Sequence, residues 1–316
     1  MFEPEGISMF GRRADGRVLR EIDPIIALTP YLMPMRCDAQ VMSSYNLDYE
    51  KMARYIVEQG NKGRKFTFME IIFAAFVRSV SQLPEINRFV VNKRLYARTQ
   101  LTISFVVLKD TGDPDKIEEN TVKCYFDPRD TIYDVADRVS AAIEQNRREE
   151  ADNSTMKVAK LLLNPILANI VVAIARITDR YGILPKYILD ASPFHTTMFF
   201  TQMASIGMPA VNHHIYNFGT TSLFVSMGII QRETQAAPDG TVKRKRWLPA
   251  GFTADERICA GKEWAKLVER MMYYIDHLEE LETPPEKVVF EEGNEYSIPE
   301  YILKQQKKQQ QKTIAG

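Results

Sequence analysis

The sequence predicts an α/β fold in which a mixed β-sheet is flanked by helices. Runs of strand character alternate with longer runs of helical periodicity along most of the 316 residues, an order that favours an α/β architecture. Residues 68–82 form a predicted helix that is apolar on most faces, which is typical of a helix buried against a sheet. Residues 196–248 are predicted to form a meander of strands that leads into a strand-to-helix corner at 252–264.

Length, charge and cysteine content limit the class of protein. A chain of this length buries a sizeable core, as one large domain or two small ones. The 41 basic and 41 acidic residues balance, so no global field favours nucleic acid, and no nucleic-acid partner is expected. Cys37, Cys124 and Cys259 show no C-x-x-C spacing, which favours a reducing compartment without structural disulfides or zinc. Because no signal-peptide pattern opens the sequence, we expect a cytoplasmic protein.

The first half of the chain is predicted to alternate helices and strands. Asp48 and Thr67 are the predicted N-caps of two helices, and Glu70 stands at the capping-box distance from Thr67. Residues 1–22 contain three glycines among several arginines and are predicted to form an irregular N-terminal arm. The predicted helices begin at Asp23-Pro24 or cover residues 49–58, 68–82 and 131–148, and the predicted strands cover residues 40–47, 88–96, 101–108 and 122–126, with 88–96 and 101–108 as a hairpin.

Residues 156–188 are predicted to be an apolar helical insertion. The stretch 161–177 is strongly apolar, but Asn164, Pro165, Asn169 and Arg176 interrupt it. A membrane helix needs about 20 apolar residues with few breaks, so a membrane span and membrane association are not expected. A lid, a channel wall or a helix pair that contacts another subunit is the favoured interpretation, and attachment to a membrane surface is the alternative.

The second half is predicted to form a meander of strands at 196–204, 223–231 and 242–248. Pro238-Asp239-Gly240 is the predicted turn between the last two strands. A helix is predicted over 264–281, and residues 282–316 are predicted to be a linker followed by a disordered Lys/Gln-rich tail at 304–312. These boundaries leave 23–281 as the folded domain.

The strand-to-helix corner, F-T-A-D-E-R-I-C-A-G-K-E-W at 252–264, is the predicted functional region. Gly261 ends an extended run, and helical periodicity follows it. A rigid corner of this kind holds exposed side chains in fixed positions, which suits catalysis or binding. Cys259 lies in the corner without a histidine at a diagnostic distance, so we interpret it as a small buried apolar residue.

The corner resembles the D-H-R-x-x-D-G signature of the chloramphenicol acetyltransferases and of the acyltransferase domains of 2-oxoacid dehydrogenase complexes. Asp255, Arg257 and Gly261 match the signature. Glu256 stands at the position of the family's catalytic histidine, and Ala260 stands at the position of its aspartate. The motif is therefore degenerate at both of its catalytic positions.

The order of elements over about 23–280 supports the same resemblance. Ser205-Ile206-Gly207 and Ser226-Met227-Gly228 are similar to the families' Ser/Asn-Leu-Gly turn. The resemblance implies a chloramphenicol acetyltransferase-like two-layer sandwich without a lipoyl domain. It also implies acyl transfer from coenzyme A or a pantetheine thioester to a small-molecule acceptor, without a metal. The site would lie between the subunits of a homotrimer.

Glu256 occupies the position of the family's base. Imidazole suits proton transfer at neutral pH because its unperturbed pKa is about 6.5. The ordinary pKa of a glutamate carboxyl is about 4.3, so Glu256 becomes a comparable base only where burial raises its pKa. Two interpretations stay open. Glu256 lines a channel as the base while Arg257 points into the fold, or Glu256 pairs with Arg257 and is structural.

Histidines elsewhere are the other candidate bases. His213 and His214 are adjacent in a strand-like segment, so their rings are expected to point to opposite faces and one could enter the site. The alternative is that both are loop histidines bonded to the backbone. His195 lies near the start of the central strand, where the resembled families place polar residues that face the channel. His277 lies late in the last helix and is interpreted as structural.

Hydroxyl and lysine side chains complete the predicted site. The resembled families stabilise the oxyanion with a hydroxyl donor, for which Ser205, Thr201 and Ser192 are candidates. We assign Ser205 to catalysis and place Ser192 and Thr201 with the coenzyme A contacts. Lys243 and Lys245 share one side of an extended strand and are candidate coenzyme A contacts, although such charges also protect edge strands in solvent.

Three functions are consistent with the sequence. The first is an acyltransferase. The second is a catalytically degenerate relative that acts as a binding or scaffolding protein, which the loss of both histidine and aspartate from the motif favours. The third is a partner protein that lies against a membrane through residues 161–177.

Overall fold

The computed structural model describes residues 12–109, 118–150, 164–236, 242–291, 294–300 and 302–303. Several sequence predictions lie wholly or largely outside these residues. They concern residues 1–11 of the N-terminal arm, residues 156–163 of the apolar stretch, the turn at 238–240, the side chain of Lys243 and the tail from 304 onwards.

The described residues form two β-sheets. The larger sheet has seven strands in the order β10-β11-β9-β8-β6-β7, with β3 paired to β11, and the smaller has the order β1-β2-β5-β4. The strands are β1 Arg12–Arg13, β2 Gly16–Val18, β3 Gln40–Asp48, β4 Arg88–Val91, β5 Arg94–Arg98, β6 Leu101–Lys109, β7 Glu118–Phe126, β8 Met198–Gln202, β9 Leu223–Met227, β10 Gln231–Ala236 and β11 Val242–Asp255.

Seven α-helices accompany the sheets in the described part of the chain. They are α1 Pro24–Leu32, α2 Tyr49–Asn61, α3 Phe68–Val80, α4 Ile132–Glu150, α5 Pro165–Arg180, α6 Lys186–Ala191 and α7 Gly261–Asp276. Asp48 caps α2 by accepting from the backbone N–H groups of Glu50 and Lys51. Thr67 and Glu70 form the predicted capping box of α3, so both predicted caps are confirmed.

The larger sheet is mixed. Strand β8 runs parallel to its neighbours β6 and β9, and the other pairs are antiparallel. The mixed sheet with flanking helices confirms the predicted α/β class. The predicted meander of strands is wrong in its pairing. Strand β8 runs parallel to β9, and β10 pairs with β11 and not with β9, so only the antiparallel pair of β10 and β11 leads into the corner.

The two faces of this sheet differ in what covers them. On one face Phe73 of α3 packs against Phe105 and Phe200, with ring centroids 5.5 and 5.0 Å apart, in a core to which α2, α4 and α7 also contribute. On the other face Phe199 and Phe224 stack at 5.2 Å and form a small separate cluster. The alternation of side chains along a strand produces this division.

Strand β11 begins beside β10 and ends at the corner. It pairs with β10 at its start, with β9 further along, and with β3 on its other edge. Residues 209–217 cross the sheet on the face opposite the main core. A Cβ atom on Gly251 would lie 2.3 Å from the carbonyl oxygen of Val211, and one on Gly228 would lie 2.0 Å from the nitrogen of Ala210. The two glycines therefore permit the close approach of this crossing segment.

Two sequence predictions about local structure are wrong. Residues 12–18 are not irregular, because β1 and β2 pair with each other and β2 pairs with β5. The hairpin lies within 88–98 and not between 88–96 and 101–108. Its turn residues, Asn92 and Lys93, have φ values of 48° and 60°. Asn-Lys lacks the glycine that usually indicates such a turn, so this hairpin could not be predicted from its turn residues.

Both ends of the described chain reach one residue, Thr99. Its backbone nitrogen donates to the carbonyl oxygen of Asp15 at 3.1 Å, and its carbonyl oxygen accepts from the nitrogen of Ser297 at 2.8 Å. Asn294 is buried beside it and donates to the carbonyl oxygen of Arg98 at 2.7 Å. The segment that follows the last helix therefore packs back onto the fold.

The apolar face of helix α5 is largely exposed to solvent. Its apolar residues Ile166, Ile170, Ile174 and Ile177 are between 51 and 72 % exposed. Asn164 caps its first turn, and Asp179 near its end is buried. No helix in the described ranges is long and apolar enough to cross a membrane.

Candidate active site

The corner presents one side chain to solvent. Between Gly251 and Cys259 every residue except Glu256 is buried. The backbone nitrogen of Glu256 donates to the carbonyl oxygen of Ala39 at 3.0 Å, which ties the corner to the segment before β3. Glu256 is therefore held outward on a fixed backbone.

Buried ion pairs fix the residues on either side of Glu256. Asp255 accepts from Nε and Nη2 of Arg257 at 2.8 and 2.7 Å, and its second oxygen lies 3.3 Å from Nε of Arg36. Nη1 of Arg257 donates to the carbonyl oxygens of Met33 and Pro34. Arg257 thus points into the fold, as expected of a catalytic Glu256, and its donors are directed away from Glu256.

Glu256 is exposed on the single chain. The predicted channel would form between subunits, so the position of Glu256 in such a channel stays a prediction.

Ser205 lies at the opposite end of the sheet from Glu256. Parallel pairing of β8 with β9 places Gln202, three residues before Ser205, beside Met227. The other end of β9, Leu223, pairs with β11 next to the corner. The two ends of β9 are four residues apart, about 13 Å of strand. One chain therefore does not bring Ser205 and Glu256 together.

Ser205 and Thr201 have local partners. The hydroxyl of Ser205 is exposed and donates to the carbonyl oxygen of Gln202 at 2.6 Å. The hydroxyl of Thr201 is 3.8 Å from the sulfur of Met203. Both residues lie at the end of the sheet away from the corner.

His213 and His214 lie in the crossing segment 209–217. Their rings stack on each other at 4.5 Å, and His213 also stacks on Phe224 at 4.2 Å. The expectation that the rings point to opposite faces is wrong, because this segment has no strand pairing to impose the alternation. Nδ1 of His213 lies 2.7 Å from the carbonyl oxygen of His214, and His213 is half-buried on the outer face of the sheet.

Lys245 is engaged within the chain. Its ammonium nitrogen lies 3.4 Å from a carboxylate oxygen of Asp48 and 3.8 Å from the centroid of the Trp247 ring. The backbone of Lys243 pairs with Gln235 in β10. A phosphate group would therefore compete with Asp48 for Lys245.

Ser192 contacts His195 in the loop between α6 and β8. Nδ1 of His195 lies 2.7 Å from the hydroxyl oxygen of Ser192, and its Nε2 lies 3.3 Å from a carboxylate oxygen of Asp179. His195 is 2 % exposed and Asp179 is 7 % exposed, whereas Ser192 is half-buried. Of these three residues, Asp179 was missed in the sequence, since no motif relates the end of α5 to this loop.

Arg13, in strand β1, forms an ion pair with Asp179. Its Nη2 donates to a carboxylate oxygen of Asp179 at 2.7 Å, and its Nε donates to Asp15 at 2.8 Å. Burial raises the pKa of Asp179, but the neighbouring His195 and the charge of Arg13 outweigh it and hold that pKa below its ordinary value. Burial lowers the pKa of His195 despite the opposing charge of Asp179. The pair is thus a carboxylate beside a neutral imidazole at neutral pH.

Lys123 lies on the other side of Ser192. Its ammonium nitrogen donates to the carbonyl oxygens of Leu189 and Ser192 at 2.9 and 3.4 Å. Burial, reinforced by the charge of Arg98, lowers its pKa to about 7. A lysine with so low a pKa is a sign of a functional region, although structural ion networks produce similar shifts.

Other groups in the described chain do not add to these sites. Cys259 is buried, and burial raises the pKa of its thiol, in agreement with the predicted apolar role. Nδ1 of His277 donates to the carbonyl oxygen of Tyr273, 2.8 Å away, at the end of α7. Within the described ranges no group of three or more His, Cys, Asp or Glu residues could hold a metal ion. A cavity of about 630 Å³ bordered by Arg78, Arg270 and Lys287 includes none of the predicted site residues.

Comparison with known proteins gives structural neighbours but no sequence family. No family model matches the chain, and no curated protein matches it. A probable dihydrolipoamide acetyltransferase from Listeria monocytogenes 4b F2365 is similar with a TM-score of 0.49 and 12 % identity, over 82 % of this chain and 94 % of that chain. A truncated catalytic core of the 2-oxoacid dehydrogenase multienzyme complex from Thermoplasma acidophilum gives 0.48 and 14 %, over 82 % and 97 %. A chloramphenicol acetyltransferase gives 0.45 and 9 %, over 82 % and 99 %.

Proposed function

We propose that this chain transfers an acyl group from coenzyme A or another pantetheine thioester to a small acceptor, with Glu256 as general base. The observation that carries the proposal is the exposed Glu256 within the otherwise buried run 251–259. A carboxylate on a rigid corner can take a proton from a bound thiol or hydroxyl. The buried pair of Asp255 and Arg257 supplies that rigidity.

The proposed reaction uses two residues, Glu256 and Ser205, that lie at opposite ends of the sheet. Glu256 deprotonates the acceptor, which attacks the thioester carbonyl carbon. The hydroxyl of Ser205 donates to the developing oxyanion. The intermediate then collapses, and the leaving thiolate takes up the proton. Because Ser205 and Glu256 lie at opposite ends of the sheet within one chain, we place the reaction between two subunits of a homotrimer, with Glu256 from one subunit and Ser205 from the next.

The test is release of free thiol from acetyl-CoA with a panel of small amine and hydroxyl acceptors. We expect Glu256→Gln to lower the rate by a factor of about 100 or more, the usual range for loss of a general base. Glu269→Gln is the matched control, because Glu269 is an exposed carboxylate on the adjacent helix α7. Equal rates for wild type and Glu256→Gln would overturn the assignment.

Subunit mixing tests whether the site is shared. Co-expression of Glu256→Gln with Ser205→Ala gives mixed trimers in which about a quarter of the interfaces combine an intact Glu256 with an intact Ser205. We expect activity to return in the mixture although each variant alone is inactive. A mixture as inactive as its components would overturn a site shared between Glu256 of one subunit and Ser205 of the next.

A binding or scaffolding function is the second candidate. It is favoured by the bare apolar face of α5, because large exposed apolar patches mark interaction surfaces. The replacement of the motif's aspartate by Ala260 is consistent with it.

A further inference from the structure

Ser192, His195 and Asp179 bring together a nucleophile, a base and an acid that the proposed transfer reaction does not use. The Ser192 hydroxyl oxygen is 2.7 Å from Nδ1 of His195, and Nε2 of His195 is 3.3 Å from Asp179. The three residues come from the end of α6, the loop before β8 and the end of α5. The serine and the imidazole are within hydrogen-bond reach, whereas Nε2 of His195 makes no hydrogen bond to a described residue and has the Asp179 carboxylate only as a nearby charge. A nucleophile within reach of a base that lies beside a third charged group is an arrangement that can activate a serine.

We propose that Ser192 is a second nucleophilic site, which accepts an acyl group from an acyl ester or thioester. This proposal does not depend on the function proposed for Glu256. It is carried by the three-residue geometry together with its unequal burial. The half-buried Ser192 contacts a buried imidazole that lies beside a buried carboxylate, so the nucleophile is the member of the group nearest to solvent.

The charges around the imidazole favour the required tautomer. A carboxylate next to Nε2 favours a proton on that nitrogen and leaves the lone pair of Nδ1 for the Ser192 hydroxyl. Arg13 keeps Asp179 in position through two donors, one to its carboxylate and one to its carbonyl oxygen. The other charged groups near the ring are Asp15 and Lys123. The ring also meets Phe218 edge-on at 5.6 Å, which fixes its plane.

Lys123 places an ammonium group beside the serine. It donates to the main-chain oxygen of Ser192 at 3.4 Å, so its positive charge lies near the serine at which the acyl group would be attacked.

The reaction balances without a cofactor. The Ser192 oxygen attacks the acyl carbon while its proton passes to Nδ1 of His195. The new C–O bond forms, the C–S or C–O bond to the leaving group breaks, and the leaving group departs with that proton. Water then attacks the acyl-serine, His195 takes the proton from the water, and Ser192 regains it as the acid leaves.

A fluorophosphonate probe tests the serine directly. The serine oxygen displaces fluoride at phosphorus and leaves a stable adduct that peptide mass spectrometry locates. We expect an adduct at Ser192, its loss in Ser192→Ala, and unchanged labelling in Ser297→Ala, an exposed serine whose hydroxyl contacts a main-chain oxygen. Asp179→Asn is expected to slow labelling by a factor of about 10 or more. Wild-type protein without an adduct at Ser192 would overturn the proposal, and the assay needs no acetyl-CoA turnover.

A thiol at the same position gives a second readout that does not depend on the stability of the buried variants. In Ser192→Cys the imidazole is expected to keep the thiol reactive at lower pH than an ordinary thiol, whose pKa is about 8.5. The exposed Cys37 in the same molecule is the internal control. Iodoacetamide alkylation is followed from pH 6 to pH 9 by mass spectrometry. Identical pH profiles at positions 37 and 192 would show that His195 does not act as a base.

Discussion

Asp255 and Arg257 form a buried pair, with Nη2 of the guanidinium 2.7 Å from Oδ2 of the carboxylate, on either side of the exposed Glu256. Arg36 shares the same carboxylate from the segment before β3. One carboxylate therefore faces two buried guanidinium groups, and the corner depends on it for charge balance.

We expect Asp255→Asn to lower the free energy of unfolding by about 3–5 kcal/mol, because it leaves two buried cations without a counter-charge. Urea denaturation measures this change. Lys51→Ala is the control, since the pair of Lys51 with Asp276 is exposed and its loss is expected to change stability by less than about 1 kcal/mol. Similar losses in both variants would contradict a special role for the buried pair.

Gly251→Ala is expected to destabilise the protein by about 1–3 kcal/mol, since the new methyl group would meet the backbone of Val211 at 2.3 Å. Gly60→Ala is the control and is expected to raise the free energy of unfolding. Nothing lies within 4 Å of a Cβ at Gly60, and alanine stabilises a helix by about 0.5–1 kcal/mol over glycine. Both changes are measured by urea denaturation. A neutral Gly251→Ala would mean that the segment 209–217 does not lie against β11.

The lowered pKa of Lys123 predicts that the stability of the protein depends on pH. Its pKa in the folded protein is about 7, below the ordinary value of 10.5, so between these values the unfolded chain binds more protons. Stability from this group therefore rises with pH from 7 towards 10.5. We expect unfolding curves at pH 7 and pH 9 to show a smaller rise for Lys123→Met than for wild type. Lys51→Met is the exposed control, and parallel behaviour of all three proteins would contradict a strongly lowered pKa.

The bare face of α5 predicts a contact with another copy of the chain if the scaffolding function is correct. We expect Ile174→Glu to lower the molar mass measured by light scattering from a multiple of the 36.3 kDa chain towards that of one chain. Asn169→Glu changes an exposed polar residue of the same helix and is expected to leave assembly intact. An unchanged molar mass in Ile174→Glu would exclude α5 from the subunit contact.

Local signals in the sequence predicted local structure well. The capping box of Thr67 and Glu70, the cap at Asp48 and the buried helix α3 depend on neighbours a few residues away, and the structure confirms each of them. The corner was also predictable, because Gly261 and the helical periodicity after it define α7.

Contacts between distant residues could not be predicted in this way. Arg13 and Asp179 are 166 positions apart, and Arg36 and Asp255 are 219 apart. Each residue alone resembles an ordinary surface charge. Only the folded topology brings each pair together and buries it, so the sequence drew attention to Glu256 but not to the ionic network around it or around His195.

The double attachment of Thr99 has a consequence for synthesis on the ribosome. Asp15 is available to its backbone nitrogen early, but Ser297 is made almost 200 residues after Thr99. Domains fold as units during translation, and contacts between distant segments form slowly. A nascent chain therefore carries Thr99, next to the small sheet, with one backbone partner missing until Ser297 has been made. A stop codon shortly after α7 would leave that partner missing permanently and make the shortened product a substrate for chaperones and proteases.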